Sequence, residues 1–285
     1  MTQNKILPLT NDVVMQMYFT RSSNIEQLKQ FIKAVTHLTD DDLTKVEVKN
    51  PKLTKDNVDD KDFIVDVNVT TSKGDRINIE MQVESHSGFI ERMVSYNARN
   101  YASQLERGEK YTKLREAISI VVVNFPLFKD TDEFYEHILF RRKNEKVFTN
   151  AQQFYILDLT KIPSKPSDAK EQWAALFKAT SEEELNMLSQ ETGDMNEAVD
   201  KLAQLSADEE ARYMAELRLR GRALRKTLED DARERGHAEG HAEGHAEGRE
   251  EERIKTAKIA FANDIPIETI SLLTSLTIEE LEKIL

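Results

Sequence analysis

The chain has 285 residues, of which 32% are charged, with a net charge of −12 and no cysteine. That composition excludes disulfides, thiolate nucleophiles and cysteine-ligated zinc, and no apolar run approaches the roughly 20 residues needed to span a bilayer. The N-terminus lacks a basic region followed by an apolar one, so the expectation is a soluble, cytoplasmic protein without a membrane partner, carrying one sizeable core and a smaller appendage.

The acidic balance argues against a nucleic-acid partner only at first sight, because phosphate neutralisation depends on local rather than total charge. Between Glu91 and Glu116 the six cations Arg92, Arg99, Arg107, Lys110, Lys113 and Arg115 exceed four acids. Arg141, Arg142, Lys143 and Lys146 form a second local excess, and the acids concentrate at residues 39–62 and 181–252.

In chain order, residues 10–36 read as one or two helices. Val13, Val14, Met17 and Phe19, then Ile25, Leu28, Phe31, Ile32 and Val35, recur at helical spacing. Pro8 suits a helix entry, with Asn11 or Thr10 as the cap. Residues 46–53 suit a first strand, ahead of a polar stretch at 54–61.

Residues 62–84 are the most informative part of the chain. Two runs of apolar/polar alternation flank a Ser-Lys-Gly-Asp turn. Val65, Val67 and Val69 take one face of the first run, and Ile64, Asp66 and Asn68 the other. In the second run Ile77, Ile79, Met81 and Val83 oppose Asn78, Glu80, Gln82 and Glu84. A hairpin closing with Thr70 opposite Arg76 sets Asn68 against Asn78 and Asp66 against Glu80. Like charges about 4.5–5.5 Å apart across strands repel, so the pair needs either a proton or a cation between its members. Carboxylate and amide oxygens are hard donors suited to magnesium or manganese. The alternative is an ordinary exposed face of an edge hairpin. A one-residue slip would turn Asp66 to the apolar side.

A long amphipathic helix is expected from about Gly88 to Glu106, with a break at Gly108. Ala117–Phe125 is almost unbroken β-former, as in a strand buried on both faces. Phe134–Arg142 and Glu145–Asp158 read as further strands. After Pro163 and Pro166 helix formers dominate, and Trp173, Leu176 and Phe177 are expected to dock the first of these helices on the core.

Gly236-His-Ala-Glu recurs from Gly240 and Gly244 and closes at Gly248. Four residues exceed a helical turn by about 40°, so equivalent positions drift slowly around the axis. A charged linker, an oligomerising helix with small residues at close spacing, and a metal site on His237, His241 and His245 compete, the first two ahead. The tail reads as three short helices, with breaks at Asn263-Asp264, Pro266 at a helix start and a Thr277/Glu280 capping box. Glu279, Glu280 and Glu282 make it a better protein-docking or self-association module than a DNA-reading one.

The strings Lys61-Asp-Phe-Ile-Val-Asp66-Val, then Gly74, then Ile77-Asn-Ile-Glu80-Met-Gln82 resemble the signature of the Rpn family of recombination-promoting nucleases and transposases, within the PD-(D/E)XK nuclease superfamily. The likeness extends upstream to Thr10-Asn-Asp12-Val-Val-Met-Gln16-Met-Tyr-Phe19. Downstream it runs through Phe89, Arg92, Tyr96, Tyr101, Gln104, Leu105, Gly108 and Tyr111. It covers nearly the whole chain, including the repeat and the closing helices. The resemblance implies an α/β fold, a PD-(D/E)XK nuclease-like mixed sheet flanked by helices, with an all-helical C-terminal region.

It also implies a metal-dependent DNA endonuclease, hydrolysing phosphodiester bonds in recombination or transposition. Asp66 and Glu80 would bind Mg²⁺ or Mn²⁺, Gln82 would stand where the family has a lysine, and Asp12 would be the acid from the first helix. Arg92, Arg99, Arg141, Arg142 and Lys143 are the candidate DNA contacts. Gln16 and Gln82 both replace cations of the family pattern. The alternative is therefore a catalytically weak or inactive nuclease fold, acting as a DNA-binding or regulatory oligomer. The expected divisions are a nuclease-like domain at 1–165, a helical extension at 166–235, the repeat at 236–253 and a C-terminal module at 254–285. The last is expected to support a homo-oligomer.

Overall fold

The alternating residues form strands β2 (Val67–Thr71) and β3 (Arg76–Gln82), which pair antiparallel with Thr70 opposite Arg76 and Asn68 opposite Asn78. That is the expected register. Gly74 makes the turn possible: its φ of +93° is open to glycine and strained for other residues. Thr71 N–H donates to the Asp75 carbonyl (3.0 Å) and the Asp75 side chain accepts from the Thr71 hydroxyl (3.0 Å). The computed structural model describes residues 5–49, 66–191 and 195–284. The expectations for Asp62–Val65, for residues 50–53 as strand and for the polar stretch 54–61 lie outside the described residues.

Among the described residues the sheet has six strands in the order β1-β2-β3-β4-β6-β5, with β1 (Val46–Val48), β4 (Ala117–Val123), β5 (Tyr135–Arg141) and β6 (Val147–Asp158). β3, β4 and β6 run parallel, and the other pairs are antiparallel. All seven residues of β4 are buried, as its unbroken run of Ile and Val requires between two layers. This is the mixed, helix-flanked sheet expected from the sequence.

One sheet face packs on α1 (Asp12–Thr20) and α2 (Ile25–Val35). Asn11 caps α1, its side-chain oxygen accepting from the N–H groups of Val13 (3.1 Å) and Val14 (3.4 Å). Helix α4 (Ala169–Lys178) docks on the same core, with the Phe31 ring 5.1 Å from Phe19 and 5.4 Å from both Trp173 and Phe177. Each such ring, fully buried, stabilises the fold by about 1.5–3 kcal/mol. Helices α5 (Glu182–Glu191) and α6 (Asn196–Ala207) follow.

The opposite face carries α3 (Phe89–Ala102), whose Phe89 and Met93 pack on Val121, Val123, Phe154 and Ile156. This helix stops four residues short of the expected Glu106. The Gln104 side chain instead bonds the Arg115 backbone, accepting from its N–H (2.8 Å) and donating to its carbonyl (3.0 Å), which turns the chain into β4.

The chain divides into two units, residues 1–221 and 222–285. Helix α7 (Glu209–Phe261) contributes to both. Its start buries Ala211 and Ala215 in the first core. Its end packs Ala257 and Ala260 with Ile270 of α8 (Ile267–Thr274) and Leu281 of α9 (Ile278–Ile284). The tail thus holds two short helices rather than three, because Ile254–Phe261 continues α7 through its own apolar contacts. The Thr277/Glu280 capping box forms in both directions. The Gly-His-Ala-Glu repeat is helical, and side chains at its glycines would meet nothing within 4 Å. No helix among the described residues is long and apolar enough to cross a membrane.

Candidate active site

The polar faces of β2 and β3 and the underside of α3 enclose a cleft of about 300 Å³, lined by Asp66, Asn78, Glu80, Tyr96, Asn97 and Arg99 among others. The strand register brings Asp66 and Glu80 to it together. Asn78 Nδ2 donates to Asp66 Oδ2 (3.2 Å) and to the side-chain oxygen of Asn68 (3.3 Å), so the two amides tie the strands across the site. Burial, and then the negative charge of Glu80, push the Asp66 carboxyl up to about 7; the Asn78 hydrogen bond and Arg92 oppose the rise. Burial also raises Glu80, against the pull of Arg92. Two acids share a space too dry for both charges, the condition anticipated from their cross-strand placement.

Arg92 comes from the first turn of α3, and its Nη2 donates to Glu80 Oε1 (3.3 Å) and Gln82 Oε1 (3.4 Å). Gln82 Nε2 donates to the Glu84 carbonyl (3.0 Å), which fixes the amide. The guanidinium also lies 5.5 Å from the centre of the Phe89 ring, within cation–π range. The sequence marks Arg92 as part of the family pattern and as a candidate phosphate contact; its grip on Glu80 and Gln82 is a tertiary feature.

Asp12 is paired with a cation from α7. Its carboxylate receives Arg218 Nη2 (2.7 Å) and Nε (3.1 and 3.2 Å) in a buried pair, while its charge still contributes to raising Asp66. Arg99 lines the cleft. Arg141, Arg142 and Lys143 are not gathered there. They lie at the β5–β6 turn, on the sheet's far edge, beyond the point where β6 leaves β4.

Asn97 was missed. Its Nδ2 donates to the Ala117 carbonyl (3.1 Å), the Ser119 hydroxyl (2.9 Å) and the Gln153 carbonyl (3.4 Å), and its Oδ1 accepts from Gln152 (3.0 Å). The available signal was a polar residue continuing the Phe89–Met93 stripe at four-residue spacing.

Residues 9–229 match the family model described as PD-(D/E)XK nuclease family transposase. The chain belongs to this family. Family membership, which corresponds to the Rpn type, implies a nuclease-type function in transposition with DNA as substrate. No curated protein and no solved structure matches the chain.

Nucleases of this superfamily typically use divalent metals, and the donor set is compatible with one. Two carboxylates and the amide oxygens of Asn68 and Asn78 are hard donors, and the elevated Asp66 marks negative charge that a cation would offset. Among the described residues no group of three His, Asp or Glu side chains could hold an ion. Magnesium commonly binds through one or two carboxylates, with water and substrate phosphate completing its shell.

Proposed function

We propose that the protein is a divalent-cation-dependent DNA endonuclease that hydrolyses phosphodiester bonds at the Asp66–Glu80 cleft during recombination or transposition. The observation that carries this reading is the meeting of two half-buried acids, Asp66 just ahead of β2 and Glu80 on β3, with the Asp66 carboxyl raised to about 7. Asp66 and Glu80 would hold Mg²⁺ or Mn²⁺, which when bound supplies an acidified water and charge neutralisation at the phosphate.

The chain's own residues do the rest. Asn68 and Asn78 hold the strand pair in register and orient Asp66. Gln82 offers a fixed amide beside Glu80 and, unlike lysine, cannot supply positive charge. Arg92 provides that charge from α3 instead: it touches both Glu80 and Gln82 and so stands ready to stabilise charge building on the phosphoryl oxygens. Arg99, which lines the cleft, would hold a flanking phosphate. The Asp12–Arg218 pair supports the site from α1 without contributing a ligand.

Supercoiled plasmid should be nicked or linearised with Mg²⁺ or Mn²⁺ and left intact with EDTA. If plasmid survives both metals, the alternative of a non-cutting DNA-binding protein, which the amide at Gln82 favours, takes precedence. Arg92→Gln should move the acid limb of the cleavage pH profile upward by about one unit. The sign follows from Arg92 favouring the charged form of both acids: without it, higher pH is needed to deprotonate them. An unmoved limb would show that Arg92 does not act on these carboxylates.

A further inference from the structure

The β5–β6 hairpin carries a combination of groups that the catalytic cleft does not use. β4 pairs with β6 only from Gln152 onward, so the end of β5 and the first five residues of β6 extend past the sheet as a two-stranded arm. Every residue from Phe140 to Phe148 is exposed. Phe148 is 74% and Phe140 50% exposed, unusual for large aromatic rings.

The pairing is irregular at Phe148. Phe140 opposes Thr149 and Arg141 opposes Val147, leaving Phe148 as an extra residue in a bulge, a device that re-aims a side chain. The turn is closed by the Arg142 N–H donating to the Lys146 carbonyl (2.8 Å) and the Glu145 N–H donating to the Arg142 carbonyl (2.9 Å). Arg141 Nη1 donates to the Glu145 carbonyl (2.9 Å), so the tip is an ordered loop.

Charge selects the occupant. The tip presents Arg141, Arg142, Lys143 and Lys146 against the single acid Glu145, on a chain whose net charge is −12. An apolar protein surface would satisfy the two phenylalanines and leave the cations without partners. A strand of nucleic acid satisfies both, with phosphates for the cations and flat apolar faces for the rings. Unpaired bases present those faces at once, whereas a duplex must first be unstacked at a cost of a few kcal/mol per step.

We propose that the β5–β6 arm is a second DNA-contact element, which stacks Phe148, flanked by Phe140, on unpaired bases while Arg141, Arg142, Lys143 and Lys146 hold the adjoining phosphates. The proposal rests on the reading of this protein as one that acts on DNA, and names the single-stranded part of that substrate as what the arm takes.

The test measures binding of full-length protein to labelled single-stranded and duplex oligonucleotides of equal length by fluorescence anisotropy, in EDTA so that nothing is cut. Phe148→Ala should weaken single-strand binding about tenfold and change duplex binding less than about twofold. Phe148→Trp should restore single-strand binding. Arg142→Gln with Lys143→Gln should weaken binding to both and reduce the slope of log affinity against log salt by about one to two. The proposal is overturned if the wild type binds no single strand, if Phe148→Ala binds it as the wild type does, or if Phe148→Trp fails to restore it. Failure of the nuclease reading looks different: plasmid uncut with either metal, alongside Phe148-dependent single-strand binding, removes the endonuclease and leaves the arm standing.

Discussion

Asp66→Asn should reduce metal-dependent DNA cleavage by about a hundredfold or more, equivalent to about 2.7 kcal/mol in the barrier. The same substitution should stabilise the protein above neutrality. Asp66 titrates in the folded state at about 7, well above an unfolded aspartate near 4. Between those values the folded form binds more protons than the unfolded one, so stability falls as pH rises from about 4 to 7 and levels off above. Asparagine keeps the shape and removes that penalty. The residue is partly exposed, so solvent screening limits the gain to about 1–3 kcal/mol.

Thermal unfolding at pH 5 and pH 8 checks both parts. The advantage of Asp66→Asn over the wild type should be small at the lower pH and larger at pH 8. Added Mg²⁺ should raise the wild-type midpoint and leave the variant's nearly unchanged. Full cleavage by Asp66→Asn would remove the catalytic role, and equal midpoints at pH 8 would remove the electrostatic argument.

Arg218→Met should destabilise the first unit by about 3–5 kcal/mol, because it leaves the Asp12 carboxylate buried without its principal cation. At this size of protein that corresponds to a midpoint lower by about 10 °C. Asp12 is 3% and Arg218 8% exposed, and the bidentate geometry leaves little room for water to substitute. Combining Asp12→Ala with Arg218→Met should recover much of the loss, since neither charge is then stranded. Additive losses in chemical denaturation of the four proteins would show that the pair's coupling is not the source.

The hairpin was legible in the sequence because its signals are local. Period-two alternation fixes which residues share a face, and the Ser-Lys-Gly-Asp turn fixes which of them meet, so Thr70 against Arg76 followed without tertiary information. The double burial of β4 and the Thr277 capping box were legible for the same reason. The partners of the site acids were not. Arg218 is 206 residues from Asp12, and no pattern along the chain announces such a meeting. Arg92 could be read as a cation on a helix, but its hold on Glu80 and Gln82 depends on where α3 lies across the sheet. Phe148 carries no such local signal, because its exposure arises where β5 and β6 run past the end of β4, which only the assembled sheet decides.

The four hydrogen bonds of Asn97 have a consequence for how the cleft can meet its substrate. One buried amide links α3 to backbone and side-chain atoms of both β4 and β6. Lifting the helix would strand those partners at about 1–3 kcal/mol for each group left unsatisfied. The roof over Asp66 and Glu80 is therefore riveted rather than hinged. On the proposed nuclease reading, a scissile bond would enter by conforming to a preset slot, and the deformation on encounter would fall to the nucleic acid.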